Sequence, residues 1–95
     1  MNLLIKNGVI INSEGSFIAD ILVKNGKINE LGENLQSEAS KTIDAEGKII
    51  LPGGVDVHTH MDLDLGNYRA VDDFYTGTVA AAFGGTTTIV DHIAF

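Results

Sequence analysis

Two histidines separated by one residue, in the run His58-Thr59-His60, are the side chains of this 95-residue chain best placed to do chemistry. Along an extended backbone, side chains alternate between faces, so positions 58 and 60 point the same way. Two imidazoles so placed can reach one cation, at roughly 2.0–2.1 Å if it is zinc. A cation held like this acts as a Lewis acid and makes water nucleophilic near neutral pH, the chemistry of metal-assisted hydrolysis. Asp56 lies on the same face, one step deeper. It either orients a histidine from behind or satisfies backbone donors nearby, and the second reading is favoured because buried polar groups are usually paired locally. Histidines at a strand end are often no more than hydrogen-bonded, so the elements around them decide.

Those elements have a strand–helix–strand grammar. Val55-Asp56-Val57-His58-Thr59-His60 alternates as a strand after Pro52-Gly53-Gly54. Residues 61–70 read as a loop, and the pattern predicts a helix from Val71 to Phe83 with Asp72 and Asp73 near its N-terminus, where the macrodipole favours anions. Val71, Tyr75, Val79, Ala82 and Phe83 fall on one face at helical period, and Gly84-Gly85 supplies a stop. Thr86-Thr87-Thr88-Ile89-Val90-Asp91 is a second, β-branched strand. The pattern implies a parallel βαβ unit, with both histidines at the carboxyl end of its first strand, where such folds keep their sites.

Residues beside the pair are candidates for a substrate pocket. Met61, Leu63 and Leu65 alternate, so they present one apolar wall, or else the loop packs on its own scaffold. His92, following Asp91 at the end of the second strand, faces the same mouth as a pocket residue rather than a ligand, or as a strand-end histidine with its own partners. Asp62 and Asp64 read as solvated loop carboxylates.

The first half is all β. Asn7-Gly8 and Asn25-Gly26 each separate two apolar, β-prone runs, the strongest short-range hairpin signal, and predict two hairpins. Thr42-Ile43-Asp44 and Lys48-Ile49-Ile50-Leu51 predict a further strand pair around Ala45-Glu46-Gly47. The expected domains are 1–51, part of a small β-sandwich, and 52–95, the βαβ unit, divided where Pro52-Gly53-Gly54 ends the sheet.

Composition narrows the function. Thirteen acidic residues against six basic ones give a net charge of −7, without the basic stripe that nucleic-acid binding needs. The absence of cysteine excludes disulfides and thiolate ligands, leaving histidine, carboxylate or water for any metal. No apolar run approaches the roughly 20 residues that span a bilayer, and the first residues lack the character of a signal peptide, so a cytoplasmic location is expected. Because the sequence stops at Asp91-His92-Ile93-Ala94-Phe95, within a β-prone stretch, it is expected to be part of a longer polypeptide.

The segment Leu51-Pro52-Gly53-Gly54-Val55-Asp56-Val57-His58-Thr59-His60 resembles the signature of the amidohydrolase superfamily. Gly84-Gly85-Thr86-Thr87-Thr88-Ile89-Val90-Asp91-His92 resembles its hydantoinase and dihydropyrimidinase branch, as does the front end from Leu4-Ile5-Lys6-Asn7-Gly8 to Ile43-Asp44-Ala45-Glu46-Gly47; within that branch the phenylhydantoinase type looks nearest. The resemblance implies an α/β fold, the start of a metal-dependent (β/α)8 TIM barrel preceded by a β-sandwich, incomplete here because a barrel takes about 250 residues. It implies His58 and His60 as metal ligands, two divalent ions per full-length subunit, commonly zinc, and a general base beyond Phe95, so the 95 residues alone are expected to be inactive. It further implies a homotetramer and a small cyclic amide as substrate, opened to an N-carbamoyl amino acid. Allantoinase and dihydroorotase are alternatives within the superfamily. Non-catalytic relatives such as the collapsin response mediator proteins are an alternative outside catalysis.

Overall fold

The computed structural model describes residues 1–93, which divide into two compact units, Met1–Pro52 and a second that begins at Gly53. In the first, β1 (Asn2–Asn12), β2 (Gly15–Lys24) and β3 (Lys27–Gly32) form an antiparallel meander, and β4 (Lys41–Asp44) and β5 (Ile49–Ile50) both pair with β1 in parallel. Within the described residues this all-β unit is one five-stranded sheet.

The two Asn-Gly pairs have different fates. Asn25 and Gly26, at φ 52° and 76°, make the tight turn between β2 and β3 as expected, since both central residues of such a turn need positive φ. Asn7-Gly8 makes no turn. β1 runs straight through it, and Lys6 and Asn7 together stand against Asp20 of β2, a β-bulge with Asn7 at φ 66°. The reversal lies instead at Ser13-Glu14, where the Asn12 side chain accepts the Glu14 N–H at 2.9 Å. Asn-Gly supplies positive φ, which serves a bulge as well as a turn. Gly8 is also needed for space, because a Cβ there would overlap the end of Ile50.

The expected pairing of residues 42–44 with 48–51 is likewise replaced. β4 and β5 lie end to end along β1, opposite Leu3–Lys6 and Val9–Ile10. The chain between them loops out at the bulge, closed by Ala45 N–H to Lys6 O at 2.7 Å and Val9 N–H to Lys48 O at 3.0 Å. Leu4, Ile10, Ala19, Ile21, Leu22 and Ala45 are buried, together with the Asp20 side chain. Its two oxygens accept the backbone N–H groups of Asn7 (2.9 Å) and Leu35 (3.0 Å). That carboxylate pins both the bulge and the irregular connection after β3.

The second unit has the expected order: β6 (Gly54–Thr59), α1 (Phe74–Phe83) and β7 (Thr86–Asp91), with β6 and β7 parallel. The helix starts at Phe74, three residues later than Val71. Asp73 caps it, accepting the Thr76 N–H at 2.8 Å in a capping box, and the Asp72 carbonyl is held by the Asp62 N–H at 2.8 Å. The expected apolar face does not become a packed stripe. Val71 is 99% exposed, Tyr75 77% and Phe83 91%. The buried position of α1 is Gly77, where a Cβ would overlap Met61 Sδ. The helix thus approaches the loop through its smallest residue. Gly84 and Gly85 end it as expected, Gly85 at φ 86°. Among the described residues no helix is long and apolar enough to cross a membrane.

Candidate metal centre

Near the carboxyl end of β6 the parallel ladder loses register. Asp56 pairs with Ile89 and Thr59 with Asp91, so Val57 and His58 share the span of Val90 alone. A bulge like this frees backbone groups and re-aims side chains. The freed groups find partners: the Asp56 carboxylate accepts the His58 N–H at 3.1 Å, and the His92 ring donates Nε2–H to the Val57 carbonyl at 3.0 Å. Asp56 therefore bonds backbone, and no histidine ring is among its described hydrogen bonds.

His58 and His60, both exposed, converge at their tips, with Nε2 atoms 3.2 Å apart. Two nitrogens bound to one tetrahedral zinc at about 2.05 Å would stand about 3.3 Å from each other, so the spacing suits a shared ion. The donor chemistry suits it too. Nδ1 of His60 lies 2.9 Å from the His92 carbonyl, which can only accept, so Nδ1 is the donor, and in the neutral ring this leaves a bare lone pair on Nε2. His92 Nε2 also faces a carbonyl and is a donor, which leaves it unsuited to bind metal through that atom. Among the described residues, no third histidine, cysteine or carboxylate joins the pair to form a metal-holding group.

The last residue of β7, Asp91, and the residue after it, His92, grip this site in several ways. His92 donates its backbone N–H to Thr59 O at 2.8 Å, and its ring lies on that of His58 with centroids 4.2 Å apart. Asp91 Oδ1 accepts both the Thr59 hydroxyl and the Met61 N–H, each at 2.8 Å, so one oxygen takes hydrogen bonds on either side of His60. Sequence reasoning missed Asp91. Its only signal was a carboxylate ending one strand beside a hydroxyl ending its parallel neighbour.

Met61, Leu63 and His92 come together in a cleft of about 250 Å³, completed by Asp62, Asp64, Phe74, Asp91 and Ile93. Leu65 does not join that wall and is 64% exposed. The loop folds as a small hairpin, with a bridge between Asp64 and Arg69 and Leu65 N–H donating to Tyr68 O at 2.8 Å, which carries Leu65 to its tip. Asp62 pairs with Arg69 at 2.6 Å and holds that guanidinium's pKa above its usual value, while Asp64 accepts the Gly66 N–H at 2.9 Å.

No family model matches the chain. It is 50% identical, over its whole length, to D-phenylhydantoinase of Escherichia coli, of which it covers 21%. A crystal structure of D-hydantoinase superposes with a TM-score of 0.89 at 49% identity, over 96% of this chain and 20% of that one. Dihydropyrimidinase from Brevibacillus agri gives a TM-score of 0.88 at 45% identity, again over 96% of this chain and 20% of the other. The chain thus spans about a fifth of the length of the proteins it matches.

Proposed function

We propose that this chain, which belongs to the hydantoinase and dihydropyrimidinase family, brings His58 and His60 as two ligands to the divalent-metal centre of an enzyme that hydrolyses cyclic amides. The observation that carries this is the convergence of the two Nε2 atoms at 3.2 Å, with His60 Nδ1 committed to a carbonyl. The bond broken is a ring C–N bond of a hydantoin or dihydropyrimidine. The oxygen of water adds to the carbonyl carbon, the ring nitrogen leaves with a proton, and the product is an N-carbamoyl amino acid. A divalent ion bound there supplies Lewis-acid activation of water and of the carbonyl. The chain's own residues hold and orient: His60 presents a bare Nε2, His92 supports the His58 ring, and Met61, Leu63 and Phe74 offer apolar surface to a ring substituent.

The finer reading is two zinc ions per subunit of a cytoplasmic homotetramer, with the general base and remaining ligands outside residues 1–95. On this reading the 95 residues alone do not turn over substrate. The test is metal analysis and hydantoin ring opening for the protein that carries this chain, compared with its His58→Ala and His60→Ala variants. Bound zinc and ring opening, with both variants losing metal and activity, is the expected result. A wild-type protein that binds no divalent metal would overturn the proposal and favour a non-catalytic relative. Metal held equally well without His58 and His60 would overturn the ligand assignment.

A further inference from the structure

We infer that Asp91 and His92, at the end of β7, are positioning residues for the His58 and His60 imidazoles; this rests on the reading of those histidines as metal ligands. Besides the His92 N–H to Thr59 O bond, four hydrogen bonds and one ring contact run from these two residues to 57–61. Asp91 Oδ1 accepts the Thr59 hydroxyl and the Met61 N–H, both at 2.8 Å, and so ties a side chain on one side of His60 and the backbone on the other. The His92 carbonyl takes the His60 Nδ1–H at 2.9 Å and sets the tautomer. The His92 ring donates to Val57 O at 3.0 Å and lies 4.2 Å from the His58 ring, centroid to centroid. These restraints matter because β6 is bulged just there: Val57 and His58 lie off the regular ladder, and pairing alone does not determine where the His58 ring points. Partners that orient ligand histidines typically change metal affinity 10–100-fold when removed.

Asp91 and His92 make distinct predictions. Asp91→Ala loses both acceptor contacts, whereas Asp91→Asn keeps a carbonyl oxygen able to accept from Thr59 and Met61. His92→Ala keeps the backbone carbonyl that holds His60 but removes the ring that supports His58 and Val57. The probe is Co(II) titrated into the metal-free protein that carries this chain, read by its visible d–d absorption, together with ¹⁵N shifts of the His60 ring in that metal-free protein, which report the tautomer directly. Circular dichroism checks that each variant keeps its fold.

We expect Asp91→Ala and His92→Ala each to weaken Co(II) binding about 10–100-fold, and Asp91→Asn to restore it to within a few-fold of wild type. In the metal-free protein His60 is expected to carry its proton on Nδ1, with that preference lost in Asp91→Ala and kept in Asp91→Asn. If the wild-type protein binds Co(II) through His58 and His60 while Asp91→Ala and His92→Ala bind it equally well, this inference fails and the metal site stands. If Asp91→Asn is as weak as Asp91→Ala, the hydrogen-bonding role is wrong. If Co(II) binds wild type no better than His58→Ala, the metal-site reading fails and takes this inference with it. Should a variant lose its fold, the His60 tautomer in the wild-type protein decides: a proton on Nε2 overturns the inference without any substitution.

Discussion

Asp20 offers the sharpest test of how the first sheet is held. It is 3% exposed, and its two oxygens accept separate backbone donors, Asn7 N–H at 2.9 Å and Leu35 N–H at 3.0 Å, with Lys6 Nζ 3.7 Å away. In Asp20→Ala both N–H groups lose their partner in a partly buried setting, at about 1–3 kcal/mol each, so the substitution should cost about 2–6 kcal/mol in all. Asp20→Asn should cost about half as much, because its carbonyl oxygen serves one donor while its NH2 group confronts the other. With a urea m-value of about 1 kcal/mol/M for so small a unit, the unfolding midpoint should fall by about 1–3 M in Asp20→Asn.

The same carboxylate predicts a pH dependence. The Asn7 hydrogen bond is the largest influence on it, and with the Leu35 bond and the Lys6 charge it outweighs burial, holding the Asp20 pKa below its ordinary 3.8. A pKa depressed on folding means the contribution is fully present above the unfolded value, near 3.9, and is lost as pH falls through the lower folded value. Wild type should therefore lose stability relative to Asp20→Asn below about pH 4. The assay is urea denaturation of the full chain at pH 7 and pH 3, followed by far-ultraviolet circular dichroism. The reasoning is refuted if Asp20→Asn unfolds at the wild-type midpoint at pH 7, or if the gap between the two proteins is as wide at pH 3.

Leu22, 1% exposed on the central strand β2, should cost about 2–5 kcal/mol when replaced by alanine, read as a lowered urea midpoint. Gly26→Ala places a Cβ in open space at φ 76°, so its effect is conformational alone, about 1–2 kcal/mol. An unchanged midpoint would mean that the β2–β3 turn frays in solution.

What was legible in the sequence depended on how far apart the cooperating residues lie. His58 lies in β6 and His60 one residue past its end, yet alternation is a local rule, so the convergence of the pair could be read from three residues. The turn at Asn25-Gly26 was local in the same way. Asn7-Gly8 carries the same local signal and takes the other structure that positive φ permits, because Asp20, thirteen residues on, accepts the Asn7 N–H. Which use prevails is a tertiary decision. The helix start moved from Val71 to Phe74 because Asp73, not Asp72, found a capping partner in Thr76. Leu65 alternates with Met61 and Leu63, yet Asp62 at φ 54° and the turn closed by Leu65 N–H to Tyr68 O break the extended backbone that alternation presumes.

The roles of Asp91 and His92 were illegible for a stronger reason. They exist only in the register of two parallel strands joined through a loop and a helix, and the register itself slips at Val57-His58. In the unit that contains the site, Gly77 is the buried position among the described residues, and Val55, Val57 and Val90 are exposed. Side-chain packing there constrains the end of β6 little. The rings of His58 and His60 nevertheless meet to within 3.2 Å, so their order must come from directional bonds, and those run from the end of β7. The strand that carries the donors is thus not the strand that aims them. A substitution at Asp91 or His92 should disturb the pair as surely as one between the two histidines, although neither residue needs to touch the ion.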